Sequence, residues 1–206
     1  RIEIVVRNST GSTLAKGKIV YLSGATGNRP NAILAQANSE ATSSKTIGMV
    51  IADIANNTDG SIAVNGTLHD IDTSAFTAGD SLWLSATTAG GYIANTPPAE
   101  PNHAVFIGYV ARVHPTQGRI VLNIQNGYEL DELHNVYLNS VNYGDLLIAS
   151  SSGGTPLWIN SKTLSGSYVL SGSLTTNDGV NVQTITASFI SASGGITGSL
   201  LGTAST

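Results

Sequence analysis

From Thr163 to Thr206 the only charged side chain is Asp178. Gly, Ser and Thr dominate this tail. Val169, Leu170, Leu174, Val180, Val182, Ile185, Phe189, Ile190, Ile196, Leu200 and Leu201 are set into it singly or in pairs. No other stretch narrows the possible folds so far. On its own such a segment makes a poor globular domain, because small polar residues separate the apolar ones. It is also too aliphatic for an ordinary disordered linker, which is charged or depleted in such residues. Strands built from it would present bare edges with almost no Lys or Glu to deter pairing. Copies of the same chain covering those edges resolve the conflict. Aliphatic side chains then turn inward, Ser, Thr and Asn turn outward, and small residues let three backbones approach closely. A flexible Gly/Ser linker is the competing reading, but it leaves the regular aliphatic insertions unexplained.

The remainder of the chain has a different character. Of 206 residues, 41% are hydrophobic and 11% charged, against roughly a quarter charged in an average domain. Gly, Ser, Thr, Ala and Asn fill the gap, which suits short strands joined by turns rather than long solvated helices. A net charge of −4 gives no reason to expect nucleic acid or an anionic membrane as partner. With no cysteine, disulfides and thiolate metal sites are excluded. No apolar run approaches the roughly 18 residues of a membrane-spanning helix, so no membrane insertion is expected.

Residues 1 to 127 read as one β domain. Ile2–Val6, Lys18–Leu22, Ile47–Ala52, Ser61–Leu68, Ser81–Ser85, Val105–Val113 and Arg119–Ile124 are β-branched or aromatic runs separated by turn residues, spaced as in a sandwich or small barrel. Helical periodicity is weak, apart from a short turn expected near Ala32 to Ala41. Two local patterns recur. Gly17-Lys18-Ile19-Val20, Gly79-Asp80-Ser81-Leu82 and Gly144-Asp145-Leu146-Leu147 each place a Gly-polar turn before an apolar strand. Ile47-Gly48-Met49-Val50 and Ile107-Gly108-Tyr109-Val110 put a glycine inside a strand, which marks a bulge or a close backbone approach. The acidic cluster Glu129, Asp131 and Glu132 marks the boundary of a second region, 128 to 162. The tail, 163 to 206, is the third.

The search for chemistry is largely empty. His69-Asp70-Ile71-Asp72 offers possible metal ligands, but strand alternation puts His69 and Ile71 on one face and Asp70 and Asp72 on the other. Asp72-Thr73-Ser74 reads more simply as a side-chain-capped turn. His103, His114 and His134 share no ligand spacing. The carboxylates Asp53, Asp59, Asp70, Asp72 and Asp80 are placed for turns rather than for paired acid–base work. Trp83, Tyr92, Trp158 and Tyr168 are candidates for a sugar platform. However, Trp83 between Leu82 and Leu84 is expected in the core, and Trp158 at a junction with the tail. No enzyme activity and no cofactor or metal are expected.

The ordered landmarks Asn8-Ser9-Thr10-Gly11 through Lys18-Ile19-Val20-Tyr21, Ile47–Ile54, Gly66–Phe76, Gly79–Leu84 and Ile107–Ala111 resemble a domain of phage tail and head fibre proteins, over residues 8 to 124. Residues 133 to 160 are similar to a short fibre repeat with a leucine-rich opening, a Gly-Asp turn and a Trp-x-Asn close. Residues 185 to 200 look like the repetitive stalk of such proteins. The resemblance implies an all-β, non-enzymatic virion structural protein that links a particle to a distal receptor-binding tip during host attachment. Residues 1–127 would form a β barrel or sandwich that attaches to the particle or caps the stalk. Residues 128–162 would be a neck, and 163–206 an intertwined trimeric β stalk continuing past Thr206. The chain would pair with itself as a homotrimer and with other virion proteins. Leu133, Val136, Leu138, Leu146, Leu147, Trp158, Val169, Leu174, Val182, Ile185, Phe189, Ile190, Ile196, Leu200 and Leu201 would pack between chains. The alternatives are a carbohydrate-binding module of a cell-surface adhesin, or the non-catalytic part of a tailspike.

Overall fold

The computed structural model describes residues 1–127, 129–150 and 157–163. It is predominantly β. The strands are β1 (Ile2–Asn8), β2 (Ile19–Thr26), β3 (Arg29–Leu34), β4 (Thr46–Val50), β5 (Asp59–Ile71), β6 (Ser81–Leu84), β7 (Tyr92–Ala94), β8 (Val105–Arg112) and β9 (Gly118–Asn126). One short helix, α1 (Glu40–Ser43), lies between β3 and β4, at the C-terminal end of the span where a turn is expected. These nine strands form one sheet in the order β1-β3-β2-β4-β5-β9-β8-β6-β7, and a further pairing of β1 with β5 closes the first five into a circuit. Three neck strands, β10 (Val136–Tyr137), β11 (Leu146–Ser150) and β12 (Leu157–Ser161), form a separate sheet. By backbone contacts, the described residues up to Asn160 belong to one compact unit.

The recurring sequence patterns turn out to be a duplicated unit. Val20 faces Gly48 across the β2–β4 ladder and Leu82 faces Gly108 across β6–β8, each with a register shift immediately after. Leu34 lies opposite Val20 as Ala94 lies opposite Leu82. Val50 lies opposite Ile62 as Val110 lies opposite Ile120. The Gly17 N–H donates to the Val50 carbonyl at 2.8 Å, and the Gly79 N–H to the Val110 carbonyl at 2.8 Å. Both glycines have positive φ, +81° and +94°, where a side chain would be strained. The in-strand glycines match as well. A Cβ on Gly48 would lie 2.6 Å from the Ala63 carbonyl oxygen, and one on Gly108 2.0 Å from that of Val121. Ile4 opposite Ile62 repeats as Leu68 opposite Ile120, so β5 ends the first lobe with its first half and begins the second with its second half.

Strand alternation then explains why β2, β4 and β5 carry consecutive apolar residues. Val20, Val50 and Ile62 point into the first lobe, joining Val6, Leu14, Ala32 and Ile54. Their neighbours Ile19, Met49 and Ala63 point the other way, into a second core with Leu68, Leu82, Leu84, Ile107, Val110, Ile120 and Leu122. A wall buried on both faces reads as a continuous apolar run, and here one wall serves two cores. The lobes differ in closure. In the first, β3 pairs in parallel with β1. In the second, the sheet ends at β7, and Tyr92 stacks on Phe76 with ring centroids 5.7 Å apart.

Several sequence expectations are corrected. β3 and β7 carry too little apolar signal to be read: Pro30 and Asn31 interrupt one, and the other has three residues. The alternation expected for His69 to Asp72 fails because Asp70 has φ +59° and a register shift falls between His69 and Ile71. The extra residue returns Ile71 to the core beside Leu68 and leaves His69 and Asp70 exposed, as a bulge does. Trp83 is not in the core. With Leu82 and Leu84 inward, it is the outward residue of β6, half-buried on the open face. Asp59 makes ion pairs with Arg7 (3.0 Å) and Arg29 (3.4 Å) rather than capping a turn. Asp72 does cap one: the Ser74 N–H and hydroxyl both donate to its Oδ1 at 2.9 and 2.6 Å, and these bonds, the side-chain one foremost, hold its pKa below the usual range.

Candidate functional site

The neck is where sequence places contacts between chains, and its hairpin is the second use of the Gly-Asp turn, after Gly79-Asp80. In the second lobe the Thr77 N–H donates to Asp80 Oδ2 at 2.8 Å and the Asp80 N–H returns to the Thr77 carbonyl at 3.1 Å. Asn95, the residue after β7, donates to Asp80 Oδ1 at 2.9 Å and accepts from the Ser81 N–H at 3.2 Å. The donated bonds, Thr77 first and then Asn95, depress the Asp80 pKa. In the neck the Asn142 N–H donates to Asp145 Oδ2 at 3.0 Å, and the Asp145 N–H to the Asn142 carbonyl at 3.1 Å. Asn160 on β12 donates to Asp145 Oδ2 at 2.7 Å and accepts from the Asn139 N–H at 2.8 Å. Gly144, at φ +87°, takes the place of Gly79. One carboxylate and one returning asparagine thus clamp each hairpin. Asparagine suits the role because its amide both donates and accepts.

The clamp fixes which neck residues match which core residues. Counting from the Gly-Asp turn, Leu147 holds the position of Leu82. Leu82 is 0% exposed, whereas Leu147 is 42% exposed. Elsewhere in the neck Leu130, Leu133, Tyr137, Val141, Leu146 and Trp158 are also exposed, while Val136 and Leu138 are half-buried. β12 pairs in parallel with β10, Val136 opposite Trp158, and the Trp158 N–H donates to the Asn135 carbonyl at 2.8 Å. Among the described neck residues none is buried. A three-stranded sheet without a covered face is not stable alone, and the second lobe's barrier of β8 and β9 has no counterpart among the described residues of the neck.

The neck is tied back to the β domain at its start. Glu129 precedes a 3-10 helix (Leu130–Glu132), and its N–H donates to Glu132 Oε2 at 2.7 Å in a capping box. Across from it His103 Nδ1 stands 2.9 Å from Glu129 Oε1 and 3.5 Å from Glu40 Oε2. Asn126 donates to the Ser44 carbonyl at 2.6 Å. The expected boundary near residue 127 therefore falls at a pinned joint.

The other candidates do not converge. Among the described residues no three His, Asp or Glu side chains are grouped to hold a metal ion, and no helix is long and apolar enough to cross a membrane. The expected aromatic platform is dispersed. Tyr92 lies opposite Leu84 and so faces inward, Trp83 faces outward, Trp158 is in the neck, and Tyr168 lies outside the described residues. Of the expected interchain residues, Leu133, Val136, Leu138, Leu146, Leu147 and Trp158 lie on the neck, and of these Leu138, Leu146 and Leu147 line one shallow pocket with Leu130 and Val141. Val169, Leu174, Val182, Ile185, Phe189, Ile190, Ile196, Leu200 and Leu201 lie outside the described residues.

No protein-family model and no curated protein matches this chain. Among solved structures it is similar to the head fiber gp8.5 N base in bacteriophage phi29, at 13% identity and a TM-score of 0.40, over 59% of this chain and 93% of that one.

Proposed function

We propose that this chain is a non-enzymatic structural component of a phage virion fibre, assembled as a homotrimer through its neck and tail. The observation that carries the reading is Leu147: the hairpin that buries Leu82 completely in the second lobe leaves Leu147 and its neighbours uncovered in the neck. Covering that surface with two further copies supplies the missing face. Burying apolar area, at about 25 cal/mol per Å², works against the entropic cost of association. The closed circuit of β1 to β5 reads as a small barrel that attaches to the particle or caps the stalk. Residues 163–206 then extend the shared axis, where their uncharged, aliphatic-studded composition finds its partners. The resulting rod holds a distal receptor-binding region away from the particle. Chemical cross-linking of the purified chain should trap a trimer that survives mild denaturant, and antibody against residues 1–127 should decorate appendages on virions. A well-folded monomer that retains the tail contradicts the proposal.

A further inference from the structure

The open face of the second lobe is a groove of about 400 Å³ lined by Ser81, Trp83, Phe106, Tyr109, Asn123 and Gln125. Its three aromatic rings interlock edge to face: Trp83 and Phe106 are 5.3 Å apart at 70°, Phe106 and Tyr109 5.0 Å apart at 63°. Tyr109 is 50% exposed. The Trp83 Nε1–H is buried and meets no acceptor among the described residues, so packing alone positions the indole. None of the lining side chains is charged.

The duplication shows what this face is in the first lobe. Matching the ladders, Ser81, Trp83, Phe106, Tyr109 and Val121 correspond to Ile19, Tyr21, Thr46, Met49 and Ala63. There the face is dry. Ile19, Met49 and Ala63 are fully buried against the second lobe with Tyr21 packed beside them, and Thr46 is 3% exposed. In the second lobe the same face keeps a ring, Trp83 for Tyr21, and gains two more, Phe106 for Thr46 and Tyr109 for Met49, flanked by the Ser81 hydroxyl and the Asn123 and Gln125 amides. A face kept for another β lobe would keep the dry aliphatic set, and a face left merely solvated would be polar.

We propose that this groove binds a neutral oligosaccharide. The C–H face of a pyranose stacks on aromatic rings, whose faces carry partial negative charge. Amide and hydroxyl side chains at the rim match sugar hydroxyls, because each can donate and accept. The volume lies within the roughly 300–1,000 Å³ of small-molecule sites. With no cationic side chain in the lining, an anionic glycan gains nothing over a neutral one. The inference is independent of the fibre reading, since it uses neither neck nor tail.

The test is a printed array of neutral hexose and N-acetylhexosamine oligosaccharides beside sialylated and sulfated ones, probed with the full chain, followed by titration of the best ligand. Binding to one or more neutral oligosaccharides is expected. Tyr109→Ala and Asn123→Ala should each weaken it at least tenfold without lowering the melting temperature appreciably. Absence of neutral-glycan binding at millimolar ligand overturns the proposal, as does binding indifferent to both groove variants. So does a loss of oligomeric mass in Tyr109→Ala, which would make the face a contact between copies.

Discussion

Leu82 and Leu147 occupy the same place in the same clamped hairpin, yet one is fully buried and the other 42% exposed. In the second lobe, β8 and β9 and the wall shared with the first lobe cover the hairpin. In the neck, among the described residues, only β10 flanks it. Similar local chemistry, a Gly-Asp turn locked by a returning Asn, therefore yields a finished core in one region and an unfinished one in the other. Local hydrogen bonds shape a hairpin, but apolar burial decides whether it stands alone.

Substitutions should separate the two regions. The largest effect is expected at Gly108, where a Cβ would lie 2.0 Å from the Val121 carbonyl oxygen and φ is +153°. Gly108→Ala should cost about 4 kcal/mol or more, seen as a large fall in the denaturant midpoint, and should exceed Gly48→Ala, where the corresponding distance is 2.6 Å. Next comes the matched pair. Leu82→Ala should lower the stability of the β domain by about 3 kcal/mol in one cooperative transition, because both cores share a wall. Leu147→Ala should leave that transition in place and instead weaken association. Smaller still is the clamp: Asn95→Ala should cost about 1 kcal/mol.

Two pH effects sharpen the comparison further. Because Asp80 is depressed in the folded state, its contribution is present above the unfolded carboxylate pKa of about 3.9 and fades as pH falls through the lower folded value. Asn95→Ala should shrink that acid dependence. Burial, and secondarily Asp72, push the Tyr92 phenol up to about 12. Its contribution is intact below the unfolded pKa of about 10 and is lost as pH climbs from there to about 12. Tyr92→Phe should be close to silent at pH 7 and should flatten the alkaline limb of a stability–pH curve.

Much of this architecture was legible in sequence, through residues whose backbone role is strict. Gly17, Gly79 and Gly144 announced three turns, Gly48 and Gly108 two close approaches, and all five sit where the patterns place them. What alternation alone could not supply was parity across irregularities. Trp83 between two leucines looks like core until the strand's period puts those leucines inward. The bulge at Asp70 shifts the phase of everything after it, with no side-chain signal to announce it. The aromatic groove is invisible for the same reason, since Trp83, Phe106 and Tyr109 come from two strands distant in sequence. The exposed neck surface was readable only as composition, a cluster of leucines beginning inside the acidic run Glu129–Glu132.

The most direct test of the trimeric neck is the solution mass of the full chain by light scattering, alongside Leu147→Lys. The wild-type chain should run at three times its 21.1 kDa mass. The lysine variant, carrying a charge into the surface that copies are proposed to share, should fall toward a single chain with the β domain still folded. A wild-type chain at 21.1 kDa with the neck and tail intact, or a trimer indifferent to Leu147→Lys, would contradict the account.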